Sequence, residues 1–312
     1  MSKFISEIVM LTSNPKRYEL VELKLIPTSL VKQVNPFNYD EVNIEGTFIP
    51  ERGQAITLKA FWTRDVAISL EETILGEEEA SHGITYYSEG EPIGKEIVEF
   101  LDEGHFRIRY LPLTSGVTKY QLKVYLKGEL IEESEGQFTI TENQINYRGI
   151  IKVEPNHRRN FIFENGETFI PIGQNVCWYT SRLRKSYDYD VWFSKMEENQ
   201  MNVCRIWLAP WSFALHWQKI DEYDLANAAR LDRVLTLAKE KGIYVMLTLL
   251  NHGQFSAKVN PMWDKNPWNK VNGGMLEYPM EFFTNEEAKH LYKNQLQYIV
   301  ARYGFLDNLL AW

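Results

Sequence analysis

The stretch NVCRIWLAP, residues 202–210, decides how the second half of the chain reads. An apolar run closed by a proline is the pattern of a buried strand and its end. Side chains alternate across a strand, so Val203, Arg205 and Trp207 share one face and Cys204, Ile206 and Leu208 the other. The second face is wholly apolar and suits a layer of helices. Arg205 therefore points the opposite way, into the expected barrel, where a buried guanidinium needs an acidic partner because an unpaired buried charge is strongly destabilising, unless it lies high enough to reach water.

Working outward from this strand, segments of two periods alternate. Upstream, RNFIFENGETFIPIG (159–173) is a hairpin turning at Asn165-Gly166, the strongest short-range hairpin signal. FIPIGQNV (169–176) reads as a first strand and YDVWFSKMEENQ (189–200) as a helix. Downstream, DLANAARLDRVLTLAKEKG (224–242) places Leu225, Ala228, Leu231, Leu235 and Ala238 on one helical face, and Gly242 supplies the stop. IYVMLTLLNH (243–252) is a third strand, continuous and apolar as parallel strands buried on both faces are. A third helix opens with a capping box, Thr284 and Glu287, and buries Ala288, Leu291, Tyr292, Leu296 and Ile299 before Gly304. NLLAW (308–312) is a fourth strand.

These are four β/α steps in about 150 residues, whereas a closed (β/α)₈ barrel takes about 250. A flavodoxin-like open sheet fits the length, but no glycine-rich phosphate turn follows any strand. The expectation is the first half of a (β/α)₈ barrel over residues 147–312. The N-terminal half reads differently. YELVELKLIP (18–27), GHFRIRYLP (104–112) and KYQLKVYLKG (119–128) are short alternating strands separated by turn residues. They predict an antiparallel β-sandwich of immunoglobulin or fibronectin type over residues 1–146. The Glu-rich SLEETILGEEEASHG (69–83) reads as a solvated loop or edge.

Composition excludes several classes. The chain has 312 residues, with 34 Lys and Arg against 42 Asp and Glu, a formal charge of −8. That acidity argues against nucleic acid or an anionic membrane as the main partner. Its two cysteines, Cys177 and Cys204, form no disulfide framework and no C-x-x-C pair. FISEIVML (4–11) is too short and too interrupted by Glu7 to be a signal peptide, and no run spans a bilayer. A soluble, cytoplasmic protein is expected. The six histidines, at 82, 105, 157, 216, 252 and 290, are scattered without an H-x-x-x-H pair. With no G-x-S-x-G and no Walker loop either, neither a metal nor a cofactor is expected.

In a barrel of this kind, functional groups gather where strands end. Asn175 and Trp178 follow the first strand, Arg205, Trp207 and Trp211 the second, and Asn251 and His252 the third. The loop that follows, residues 253–283, carries Trp263 and Trp268. Loops beyond about 12–15 residues are uncommon in compact domains and are usually functional or disordered, and the aromatic content here argues against disorder. Six of the nine tryptophans, at 178, 207, 211, 217, 263 and 268, thus fall at one face. Flat aromatic faces beside amide and imidazole groups suit a ligand with apolar C–H faces and many hydroxyls, a sugar. The bland alternative is that these indoles only pack loops against one another.

Taken together, NGETFIPIGQNVCW, MNVCRIWLAPW, LLNHGQF, the NPWN…GG loop and YIVARYG…NLLAW resemble clan A glycoside hydrolases of the family 5 cellulase–mannanase type. The first half, notably NPFNYDEVNIEGTF, is similar to the DUF5060-type sandwich that precedes some bacterial members. The resemblance implies retaining hydrolysis of a β-linked glycan such as β-glucan or β-mannan, with an oligo- or polysaccharide as partner. That chemistry uses two carboxyl groups about 5–5.5 Å apart. In the family, AW leads into an E-L-x-N-E segment that ends on the acid/base, and the nucleophile lies further on. Both would lie past Trp312, so no catalytic residue is expected here and the 312 residues are expected to be an inactive fragment. Arg205, His252 and Asn175 would form the supporting shell. Trp178, Trp207, Trp211, Asn251, Trp263 and Trp268 would contact substrate. An open half-barrel would also expose a sheet edge for self-association. The rival reading is a non-catalytic carbohydrate-binding or interaction protein.

Overall fold

A computed structural model of the protein describes residues 3–74 and 92–312. They form two compact units, each drawn from separate parts of the chain. Residues 1–64, 102–147 and 283–306 make the first, and 65–101, 148–282 and 307–312 the second.

In chain order the first strands are β1 (Ile5–Met10), β2 (Val21–Pro27), β3 (Val42–Pro50), β4 (Ile56–Lys59) and β5 (Phe61–Thr63). A hairpin of β6 (Val66–Ile74) and β7 (Pro92–Phe100) follows, then β8 (His105–Tyr110), β9 (Gly116–Leu126) and β10 (Glu129–Ile140). The first unit holds two four-stranded antiparallel sheets, ordered β1-β2-β8-β5 and β10-β9-β3-β4. Period-two alternation builds their shared core: Val21, Leu23 and Leu25 from β2 meet Val42, Ile44 and Phe48 from β3, with Ile108, Leu122 and Val124. Phe48 lies flat on Tyr110, with ring centroids 4.4 Å apart. Of the Glu-rich stretch, residues 69–74 finish β6, and the loop expected over 75–83 lies outside the described residues.

The second unit contains the β6–β7 hairpin and a small sheet of β11 (Ile151–Val153), β12 (Phe161–Phe163) and β13 (Thr168–Phe169). The Asn165-Gly166 turn joins β12 to β13, with Gly166 at φ 90°, where a side chain is strained. Then come β14 (Gly173–Asn175), α1 (Asp188–Glu198), β15 (Val203–Trp207), α2 (Leu225–Glu240), β16 (Tyr244–Thr248) and β17 (Leu309–Ala311). The helix between β16 and β17, α3 (Glu286–Tyr303), belongs to the first unit. The parallel sheet runs β14-β15-β16-β17, with Asn175 opposite Arg205 and Trp207 opposite Thr248. One face is sealed: Cys204, Ile206, Val245 and Leu247 are buried, as are all five expected apolar residues of α2. The opposite face carries half-buried Arg205 and exposed Met246.

The expected fold class, a sandwich followed by half of a (β/α)₈ barrel, is corrected by this architecture. Among the described residues the chain is mostly β, with seventeen strands in five separate sheets and three α-helices. A barrel half needs a helix behind each parallel connection. Here α3 lies against the strands of the first unit instead. Tyr298 Oη donates to Trp62 O at 3.1 Å, Arg302 Nη1 to Thr63 Oγ1 at 3.0 Å, and Arg109 Nη1 to Arg302 O at 2.8 Å. Of the apolar row expected from its period, Ala288 and Ile299 are buried, while Leu291, Tyr292 and Leu296 are only half-buried and Asn294, Gln295, Tyr298 and Arg302 share the buried face. The cap also shifts: Asn285, not Thr284, accepts the Ala288 N–H at 3.0 Å. The expected first strand breaks in two, since Thr168–Phe169 joins the hairpin sheet and only Gly173–Asn175 enters the parallel one.

Candidate functional site

The C-terminal ends of β14 and β15 bring five of the expected residues together. Asn175 ends β14, exposed, in register with Arg205 on β15. The segment after β14 is fastened by α1. Asp188 accepts the N–H groups of Thr180 at 2.9 Å and Ser181 at 2.8 Å, and Tyr189 Oη donates to Val176 O at 2.7 Å. Burial raises the Asp188 carboxyl above its ordinary range, and those two N–H groups partly offset it. Trp207 N–H donates to Cys177 O at 2.9 Å, which continues the strand pairing past Asn175.

On this frame Trp178 meets two indoles edge-on. Its ring centroid is 5.3 Å from that of Trp207 and 5.3 Å from that of Trp211. Trp211 is 44% exposed, so this cluster opens to solvent. The Arg205 guanidinium lies 4.9 Å from the Trp207 ring and also interacts with the Cys177 thiol. Among the described residues it has no acidic partner, and its Nε and the Trp207 Nε1 are buried without a hydrogen bond. Burial pushes the Cys177 thiol up, partly offset by Arg205, and pushes Cys204 far above the ordinary thiol range. Two hollows flank the end of β14. One of about 400 Å³ is lined by Asn175, Cys177, Trp178, Trp192 and Lys195, among others. The other, of about 370 Å³, includes Gln174, Asn175, Arg205 and Met246. Neither lining contains an Asp or a Glu.

The remaining expected residues sit in the long loop and do different work. Asn251 is buried and its Oδ1 accepts the Gly253 N–H at 2.7 Å, capping a short turn over His252–Phe255. His252 is exposed, its Nε2 within 3.3 Å of Asn260 Nδ2. Trp263 and Trp268 are buried: Trp263 faces Phe255, and Trp268 stands edge-on to Phe282 at 5.3 Å. Asn266 and Asn269 hold the loop's backbone from within, donating to Gln254 O at 2.7 Å and Trp263 O at 2.9 Å. The loop is therefore a packed body with its own aromatic interior. Sequence reading missed Trp192 and Lys195 as lining residues, while Gln174 stands at the strand end where functional groups were expected. The helical period of α1 shows that Trp192 and Lys195 share a side, but not that this side borders the end of β14.

No protein-family model matches the chain. Two tomato (Solanum lycopersicum) proteins, mannan endo-1,4-beta-mannosidases 5 and 2, are each 25% identical over 186 residues, covering 56% of this chain and 42% of their own. The chain thus spans 42% of the length of these curated relatives. A candidate glycoside hydrolase from Bacteroides vulgatus ATCC 8482 superposes with TM-score 0.58 at 16% identity, over 96% of this chain and 48% of that one. At that identity the likeness is one of fold.

Proposed function

We propose that this chain belongs to a retaining glycoside hydrolase and binds a β-linked glycan, β-mannan first, at the ends of β14 and β15. The observation that carries the reading is the mutual packing of Trp178, Trp207 and Trp211 beside Asn175 and Arg205. Indole faces take the apolar C–H faces of a pyranose, while the amide and guanidinium reach its hydroxyls. The mannosidase names of the sequence relatives favour mannan over other β-glycans.

Retaining hydrolysis needs one carboxyl to attack and one to shuttle the proton, about 5–5.5 Å apart. The hollows beside β14 supply neither. In this reading the two hollows bind and orient the glycan, with Arg205 as the cation that lines one of them. Residues 1–312 then bind glycan without cleaving it. Incubation with β-mannan, read by release of reducing ends, tests this. No release is expected, and release abolished by Arg205→Ala would overturn it.

A further inference from the structure

The loop between β15 and α2 carries Trp211 near its start and His216 five residues on. His216 is 5% exposed, and its Nδ1 is buried with no hydrogen-bond partner among the described residues. The backbone on either side is firmly held. Ala214 N–H donates to Ala209 O at 3.1 Å, Asp224 N–H to Leu215 O at 2.6 Å, Asn227 Nδ2 to Ala214 O at 2.9 Å, and Tyr179 Oη to Ser212 O at 3.2 Å. The loop is gripped around the imidazole, whose Nδ1 gets no partner among the described residues.

The charged and titratable groups of the surrounding elements are already engaged. Glu222 pairs with Lys219 at 2.8 Å, and Asp221 acts on the same ammonium. Asp224 accepts the Asn227 N–H at 2.9 Å, capping α2. Arg230 is held by Glu96 and Asn227 Oδ1. Tyr179 is spent on Ser212 O, its phenol pushed up to about 12 by burial.

We propose that His216 is an acid-sensitive latch: once doubly protonated, with no acceptor for the buried Nδ1–H, it opens residues 209–224 and withdraws Trp211 from Trp178. The consequence for glycan binding rests on the function proposed above; the opening itself does not. Burial lowers the imidazole from the usual 6.5 to about 4. The closed loop is therefore fully favoured above pH 6.5. Between 6.5 and about 4 the open loop takes up a proton that the closed loop refuses, so closure weakens by up to about tenfold per pH unit, the most one proton can give.

Native-state hydrogen exchange on the whole 312-residue chain, from pH 7.5 to 4.5 and corrected for intrinsic rates, tests the latch. Residues 209–224 should lose protection by up to about tenfold per pH unit as the pH falls, while β2, β3 and β9 stay protected. His216→Asn and His216→Phe should both hold the loop's protection flat, and either suffices if the other fails to fold. Wild-type protection that persists to pH 4.5, or an equal fall in a folded variant, would overturn the proposal. Mannohexaose affinity measured alongside separates the two claims. A loop that opens in a protein that never binds mannohexaose keeps the latch and sinks the glycan reading.

Discussion

Glu96 on β7 and Arg230 on α2 meet as a buried ion pair, Oε1 to Nε at 2.5 Å, across 134 residues of sequence. Ser186 adds its backbone N–H to the same carboxylate at 3.0 Å. These contacts tie the β6–β7 hairpin to the parallel sheet's helices within the second unit. Arg230→Met leaves the Glu96 charge buried and uncompensated, and should cost about 3–5 kcal/mol. Glu96→Gln in the same background should recover part of the loss. Urea denaturation of the three proteins measures both effects.

Gly173 opens β14 where a Cβ would stand 1.6 Å from the Val203 carbonyl oxygen. Backbone cannot swing away as a side chain can, so Gly173→Ala should cost about 3 kcal/mol or more and displace Asn175 from Arg205. Gly166→Ala meets nothing within 4 Å but keeps a positive φ of 90°, and should cost only about 1–2 kcal/mol. Thermal denaturation of the pair distinguishes close approach from backbone strain.

How much of this was legible beforehand follows from which forces act locally. Alternation in residues 203–208 gave the faces of β15 correctly, with Cys204, Ile206 and Leu208 fully buried. The Asn-Gly turn and the apolar face of α2 were equally readable, because turn chemistry and helical period are properties of neighbouring residues. The partner of α3 was not readable. Its period is that of any amphipathic helix, and contacts such as Arg302 with Thr63, 239 residues away, leave no local trace. In the site, Trp178, Trp207 and Trp211 were legible from strand ends. Trp263 and Trp268 carry the same side chain, and only burial shows that they fill the loop's interior.

That burial gives a second contrast. Trp268 is 2% exposed against Phe282, so Trp268→Ala should cost about 3–5 kcal/mol. Trp211→Ala, at 44% exposure, should cost under about 1 kcal/mol. Equal losses in urea would contradict the division between loop interior and open cluster.

Thiol chemistry probes the sheet's sealed face. Burial raises both thiols, Cys204 most, so the thiolate is suppressed at pH 8 and forms only at higher pH. Ellman's reagent should label neither cysteine in the native protein at pH 8 and both in guanidinium chloride. A Cys204 that reacts natively at the unfolded rate would contradict the burial of that face.

The central claim is that Trp178, Trp207 and Trp211 form a sugar platform, and isothermal titration with mannohexaose at pH 7.5 tests it most directly. The wild-type chain should bind, and Trp211→Ala should weaken binding by about tenfold, equivalent to about 1.4 kcal/mol, with stability nearly unchanged. No heat of binding in the wild type, or equal affinity in the folded variant, would contradict the account.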